Sequence, residues 1–141
     1  MMQYDKLKKA LIHLEKQYAN YLSMDNRESL SELDKEGIAE SVIQRFETCY
    51  DTAWKHLKKH LEVELGLPDV TSSPKPVLRL AHENNIIRNI ENWIDYANVR
   101  VATAHDYSEE KFKDALEKVG GFIKDAIWVY ETMTNETWIQ K

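Results

Sequence analysis

A chain of 141 residues, 43% hydrophobic and 30% charged, has the size and balance of one folded domain, which excludes a disordered tail. Its net charge of −5 means that the molecule as a whole does not attract nucleic acid, so any nucleotide or RNA binding must come from a local group of cations. No apolar run approaches the length that spans a bilayer, which excludes a membrane partner in the sense of a spanning helix.

The start, MMQYDKLKKALIHLEK, carries lysines but lacks the apolar stretch and cleavage site of a secretory signal, and a cytoplasmic location is the expectation. Tyr4, Leu7, Leu11, Leu14, Tyr18 and Leu22 recur at spacings of three and four, one stripe of a first amphipathic helix. The polar stretch NRESLSEL, 26–33, reads as a link. A second helix is predicted from about Leu33–Ile38 to Leu65, with Val42, Phe46, Cys49, Ala53, Leu57 and Leu61 as its apolar seam. Cys49, the single cysteine, occupies a packing position in that seam and has no partner for an internal disulfide. Gly66 follows directly, as a left-handed helix end requires.

LPDVTSSPKP is the clear break in the chain. Ser73 before Pro74 suits the cap and first position of a short helix reaching about His82. Asn89 can cap the next, where Ile90, Trp93, Ile94, Ala97 and Val101 repeat at helical spacing. Ser108 caps the last, with Glu109 and Glu110 in a first turn whose dipole favours negative charge. Phe112, Leu116, Val119, Ile123, Ala126 and Tyr130 carry its stripe. Gly120 and Gly121 fall inside this helix at about 1 kcal/mol each relative to alanine, which points to close approach of a neighbouring helix or to a kink. Nothing alternates as a strand does. The fold predicted for residues 1–141 is a single all-α domain, an up-and-down four-helix bundle with an additional short helix.

Few positions carry recognisable chemistry. His56 and His60 are four apart on a helix, a spacing that can share a metal, but Leu57 stands where a metalloprotease has glutamate. Lys55, Lys58 and Lys59 surround the pair and repel a cation, so the reading is a solvated basic face, with no metal and no cofactor. His13 and His82 stand alone and read as surface residues. Trp54 and Trp93 read as core or interface, and Trp138, in a polar tail, as a surface or partner contact.

The run YANVRVATAHDYSEE, 96–110, is different. A helix break between Ala104 and Ser108 lets His105 and Tyr107 turn back toward the turn carrying Arg100. Arginine binds a phosphate through two parallel charge-assisted hydrogen bonds, and histidine moves a proton near neutrality. The Tyr107 hydroxyl is a possible acceptor of a transferred group. The plain alternative pairs Arg100 with Asp106 or Glu109 across a dimer interface.

Three stretches, VIQRFETCYDTAWKHLKKHLE, SPKPVLRLAHENNII and WIDYANVRVATAHDY, resemble the nucleotidyltransferase substrate-binding proteins of the HEPN superfamily (higher eukaryotes and prokaryotes nucleotide-binding). The resemblance covers about residues 4–130, with Arg100, His105 and Tyr107 as its most specific motif. It implies a small helical bundle that dimerises, with higher assembly possible, and that works with a separately encoded minimal nucleotidyltransferase, often as a toxin–antitoxin pair. The chain is then a substrate-binding or regulatory subunit that binds nucleotide or phosphate at Arg100 and His105, with Tyr107 as AMP acceptor. The alternative it implies is a metal-independent ribonuclease in which Arg100 and His105 cleave RNA and the transferase silences them. Val101 departs from that pattern, where a polar residue usually follows the arginine, and Asp106 stands where a small polar residue is common.

Overall fold

Five α-helices and one short 3₁₀ turn make up a computed structural model that describes residues 2–105 and 108–139. They are α1 (Asp5–Ser23), the 3₁₀ turn Met24–Asn26, α2 (Glu32–Val63), α3 (Pro74–Glu83), α4 (Ile90–His105) and α5 (Glu109–Thr134). Local chemistry sets most of their ends. At α2, the Ser31 side chain accepts from the Asp34 backbone N–H at 3.0 Å while the Asp34 carboxylate accepts from the Ser31 N–H at 3.0 Å, a reciprocal capping box. Those two bonds hold the Asp34 carboxyl below its ordinary pKa. Gly66 has φ of 65° just past α2. Ser108 caps α5, accepting from the Lys111 N–H at 3.3 Å, and the helix ends on Asn135 in the left-handed region. At α3, Ser73 holds the cap position ahead of Pro74, yet its side chain makes no capping bond.

α1, α2, α4 and α5 form an up-and-down four-helix bundle, and the short α3 packs on α2 and α4. Among the described residues there is no strand, and no helix is long and apolar enough to cross a membrane. Leu7, Leu11 and Leu14 of α1 meet the whole α2 seam, from Val42 to Leu61, in the core. Cys49 is sealed within it, where burial pushes the thiol pKa far up and leaves it inert. Phe122, absent from the predicted stripe, is the centre of the core. Phe46, Trp93 and Tyr96 meet it edge-on, with ring centroids 5.0, 5.6 and 5.2 Å away.

Gly120 and Gly121 mark close approach. A Cβ on Gly120 would stand 2.9 Å from the Tyr18 hydroxyl of α1, and one on Gly121 3.3 Å from the Tyr96 hydroxyl of α4. The Tyr96 hydroxyl donates to buried Asp125 at 2.5 Å, and Asn92 and Asn89 donate to the same carboxylate at 3.2 and 3.3 Å. Asn89 thus stands at the cap position of α4, its carbonyl accepting from the Trp93 N–H at 3.2 Å, while its side-chain amide reaches α5.

Two expectations fail for a shared reason, that periodicity finds a face but not its neighbour. Leu22 is 63% exposed because α1 has run past the core, and Val101 is 57% exposed because it sits on a cleft wall. Trp138 turns inward: its indole N–H donates to Glu15 at 3.2 Å and its ring stands edge-on to Tyr130.

Candidate functional site: the cleft between α2, α3 and α4

The short α3 holds its N-terminus against the middle of α2 and the last turns of α4, and an open cleft of about 470 Å³ forms where the three meet. Tyr50, Asp51, Trp54 and Lys55 line it from α2, Lys75 from α3, and Arg100, Val101 and His105 from α4. On α2 the spacing 47, 51, 54, 55 keeps these side chains on one side of the helix, turned away from the buried seam.

Arg100 is the most heavily bonded side chain here. Its Nε and Nη2 donate to the two Asp51 carboxylate oxygens at 3.2 and 3.1 Å, a parallel pair, and its Nη1 donates to Glu47 at 3.0 Å. The Thr103 hydroxyl donates to the same Glu47 oxygen at 2.7 Å. Arg100 therefore pairs with acids of α2 inside one chain. Its guanidinium plane is fixed and its charge is matched by two carboxylates, so a phosphate must compete with them to reach it.

The other groups are freer. Lys75 donates to Asn98 at 2.6 Å, and Lys55 extends over the Trp54 ring, 5.9 Å from its centroid. His105 ends α4 and stands exposed at the mouth of the cleft, while Asp106 and Tyr107 lie outside the described residues. Tyr50 is the anomaly. Only 2% exposed, it reaches the cleft floor, where its hydroxyl has no hydrogen-bond partner among the described residues. Burial, with Asp51 beside it, pushes the phenol pKa far above its ordinary value, so the group remains a proton donor. An unmatched buried donor costs about 1–3 kcal/mol.

Sequence reasoning picked Arg100 and His105 from this cleft and missed Glu47, Tyr50, Asp51, Trp54 and Lys75. The spacing of Glu47, Asp51 and Lys55 at successive turns was the available signal, but it does not say which helix they face. The histidine pair lies elsewhere. His60 shares a 2.7 Å hydrogen bond with the Tyr4 hydroxyl, and the His56 ring nitrogen donates to the Thr52 carbonyl at 2.9 Å. Among the described residues no three metal-ligating side chains gather.

The helical bundle thus gathers cations and an indole around one open cleft. The chain belongs to the family described as nucleotidyltransferase substrate binding protein like, whose model matches residues 2–135. It is 26% identical over 94 residues to a Haemophilus influenzae protein named as a probable ribonuclease HepT, a match that covers 65% of this chain and 64% of that protein. The chain thus spans less than two thirds of that relative's length. Among solved structures it is similar to one from Haemophilus influenzae, titled as revealing the fold of a substrate binding domain of a nucleotidyltransferase. The TM-score there is 0.83, with 21% identity over 93% of this chain and 98% of that one. A second, from Thermus thermophilus, matches with a TM-score of 0.66 and 25% identity over 86% and 98% of the two chains.

Proposed function

We propose that this protein is the substrate-binding and regulatory subunit of a two-component nucleotidyltransferase module, and that the α2–α3–α4 cleft is its nucleotide or phosphate seat. The observation that carries this is the convergence of Lys55, Lys75, Arg100 and His105 with the Trp54 indole on one open cleft. Trp54 offers an indole face to a base, Lys55 and Lys75 meet phosphate, and Arg100, held by Asp51 and Glu47, fixes the shape of the wall. The subunit acts in the cytoplasm as a homodimer able to assemble further, beside a separately encoded minimal nucleotidyltransferase, in an arrangement of toxin–antitoxin type. Tyr107, two residues beyond His105, is its AMP acceptor.

The test is intact-mass spectrometry of the protein coexpressed with its candidate transferase, with Tyr107→Phe as control. A mass increase in AMP-sized steps, lost in the control, supports Tyr107 as acceptor. An unshifted mass removes that role, and failure to isolate a complex removes the partnership.

A second reading has its own support in the name carried by the Haemophilus influenzae relative and in the exposure of His105. The protein is then a metal-independent ribonuclease: Arg100 leaves its carboxylates to hold the scissile phosphate, His105 takes the proton of the ribose 2′-hydroxyl as its oxygen bonds to phosphorus, and the bond to the 5′-oxygen breaks, that oxygen taking a proton from water. Val101 beside them adds no polar group to that chemistry. Undiminished RNA cleavage by His105→Ala would remove the assignment.

A further inference from the structure

A second cleft, of about 320 Å³, opens between α1 and α2. Lys6, Lys9 and His13 line it from α1, and Arg45, Thr48 and Thr52 from α2. The stripe continues to Lys59, whose charge acts with that of Lys6 on the half-buried His56 between them. Among the described residues none of Lys6, Lys9, Arg45 and Lys59 stands in an ion pair. Of the acids of α1, Glu15 accepts from the Trp138 indole N–H at 3.2 Å. In a chain of net charge −5, four cations gathered without an ion-pair partner form a local positive field that an anion relieves.

We propose that the α1–α2 cleft binds the phosphodiester backbone of a single-stranded nucleic acid whose continuation enters the His105 cleft on the next side of α2. This rests on the reading of the His105 cleft as a nucleotide seat, and names a polynucleotide as what occupies it.

Three features favour this ligand. Lys6, Lys9 and His13 recur once per turn, a rise of about 5 Å, which is of the order of the distance between successive phosphates in an extended strand. The residues lining the cleft include no large apolar or aromatic hydrocarbon side chain, the kind of anchor a protein partner buries. The two clefts also adjoin: on α2, Lys55 projects only about 60° round the axis from Thr52, so a strand crosses less than one helix diameter, about 10 Å, between them. Past that ridge it meets Trp54 and Lys55, an aromatic face with a cation, the pairing that receives unstacked bases.

The test is fluorescence anisotropy of short, labelled, mixed-sequence single-stranded RNA and DNA with the full chain, titrated at several salt concentrations. Lys9→Gln/Arg45→Gln changes two exposed side chains that hold no other part of the fold. It is expected to weaken binding about tenfold and to lower the salt slope by about two. RNA bound in preference to DNA supports a site for RNA, and equal binding supports recognition through phosphate alone. Unchanged affinity and slope in the double variant overturn the proposal, as does failure of the unmodified chain to bind either strand. Competition by poly-glutamate as effective as that by the oligonucleotides also overturns it, in favour of an acidic protein surface. AMP binding to the same samples, with Lys75→Gln as its control, separates the two ideas. AMP bound normally by Lys9→Gln/Arg45→Gln leaves the nucleotide seat standing when the groove fails, and AMP not bound by the unmodified chain removes the seat.

Discussion

Replacing Tyr50 by phenylalanine removes one oxygen and nothing else from the floor of the α2–α3–α4 cleft. In most cores that change costs stability, because the hydroxyl has a partner. Here it has none among the described residues, so folding takes it out of water without return. The ring itself, packed against Phe46 and Phe122, is unaffected. Tyr50→Phe is therefore expected to raise stability by about 1–3 kcal/mol. For 141 residues the unfolding entropy near the midpoint is about 0.3 kcal/mol/K, so even 1 kcal/mol appears as about 3 °C in Tm. Tyr96→Phe is the internal comparison. Its hydroxyl donates to buried Asp125, and its loss leaves a carboxylate one donor short, at a cost of about 1.5–3 kcal/mol. Thermal and urea unfolding of both variants read the two signs. If Tyr50→Phe lowers Tm as Tyr96→Phe does, the hydroxyl is satisfied in solution and the expected gain is refuted.

Other outcomes follow from the same geometry. Arg100→Ala strands Glu47, whose side chain is 16% exposed, with only Thr103 to stabilise it, and is expected to cost about 1–3 kcal/mol; a double-mutant cycle with Glu47→Gln should show coupling above about 0.5 kcal/mol, and strict additivity would refute the pairing. Gly121→Ala should destabilise more than Gly120→Ala despite the longer gap, since Tyr96 is pinned by Asp125 while the half-buried Tyr18 can swing aside; equal denaturation midpoints would contradict this. Burial lowers the pKa of both His56 and His60, so the folded state binds fewer protons than the unfolded one below about pH 6.5. Their contribution is then fully present above that pH and lost as pH falls through the depressed folded values. His56→Gln/His60→Gln should show a smaller loss of Tm between pH 7 and pH 5 than the unmodified chain.

Much of the architecture is written locally. Ser31 with Asp34, Gly66, Ser73 with Pro74 and Ser108 mark helix ends within a few residues of themselves, because capping and left-handed closure act over single turns. The α2 seam from Val42 to Leu61 is legible because a helix facing one core must repeat at its own period. Of the site, Arg100 and His105 were readable through a resemblance in their motif. The length, the charge balance, five helices and one buried stripe on each long helix are thus properties of the sequence by itself.

What the sequence leaves open is which faces meet. Arg100 finds Asp51 and Glu47 across 49 and 53 residues of chain, and the packing of α4 on α2 alone brings them together. The same packing puts Val101 and Trp54 on a cleft wall instead of in the core, and it buries the Tyr50 hydroxyl without a partner. Lys6 and Lys9 share a cleft with Arg45 only because α1 lies beside α2. Periodicity fixes the direction of a side chain about its own helix axis, but the field and the partners it meets come from a second helix, and those exist only once the bundle has closed.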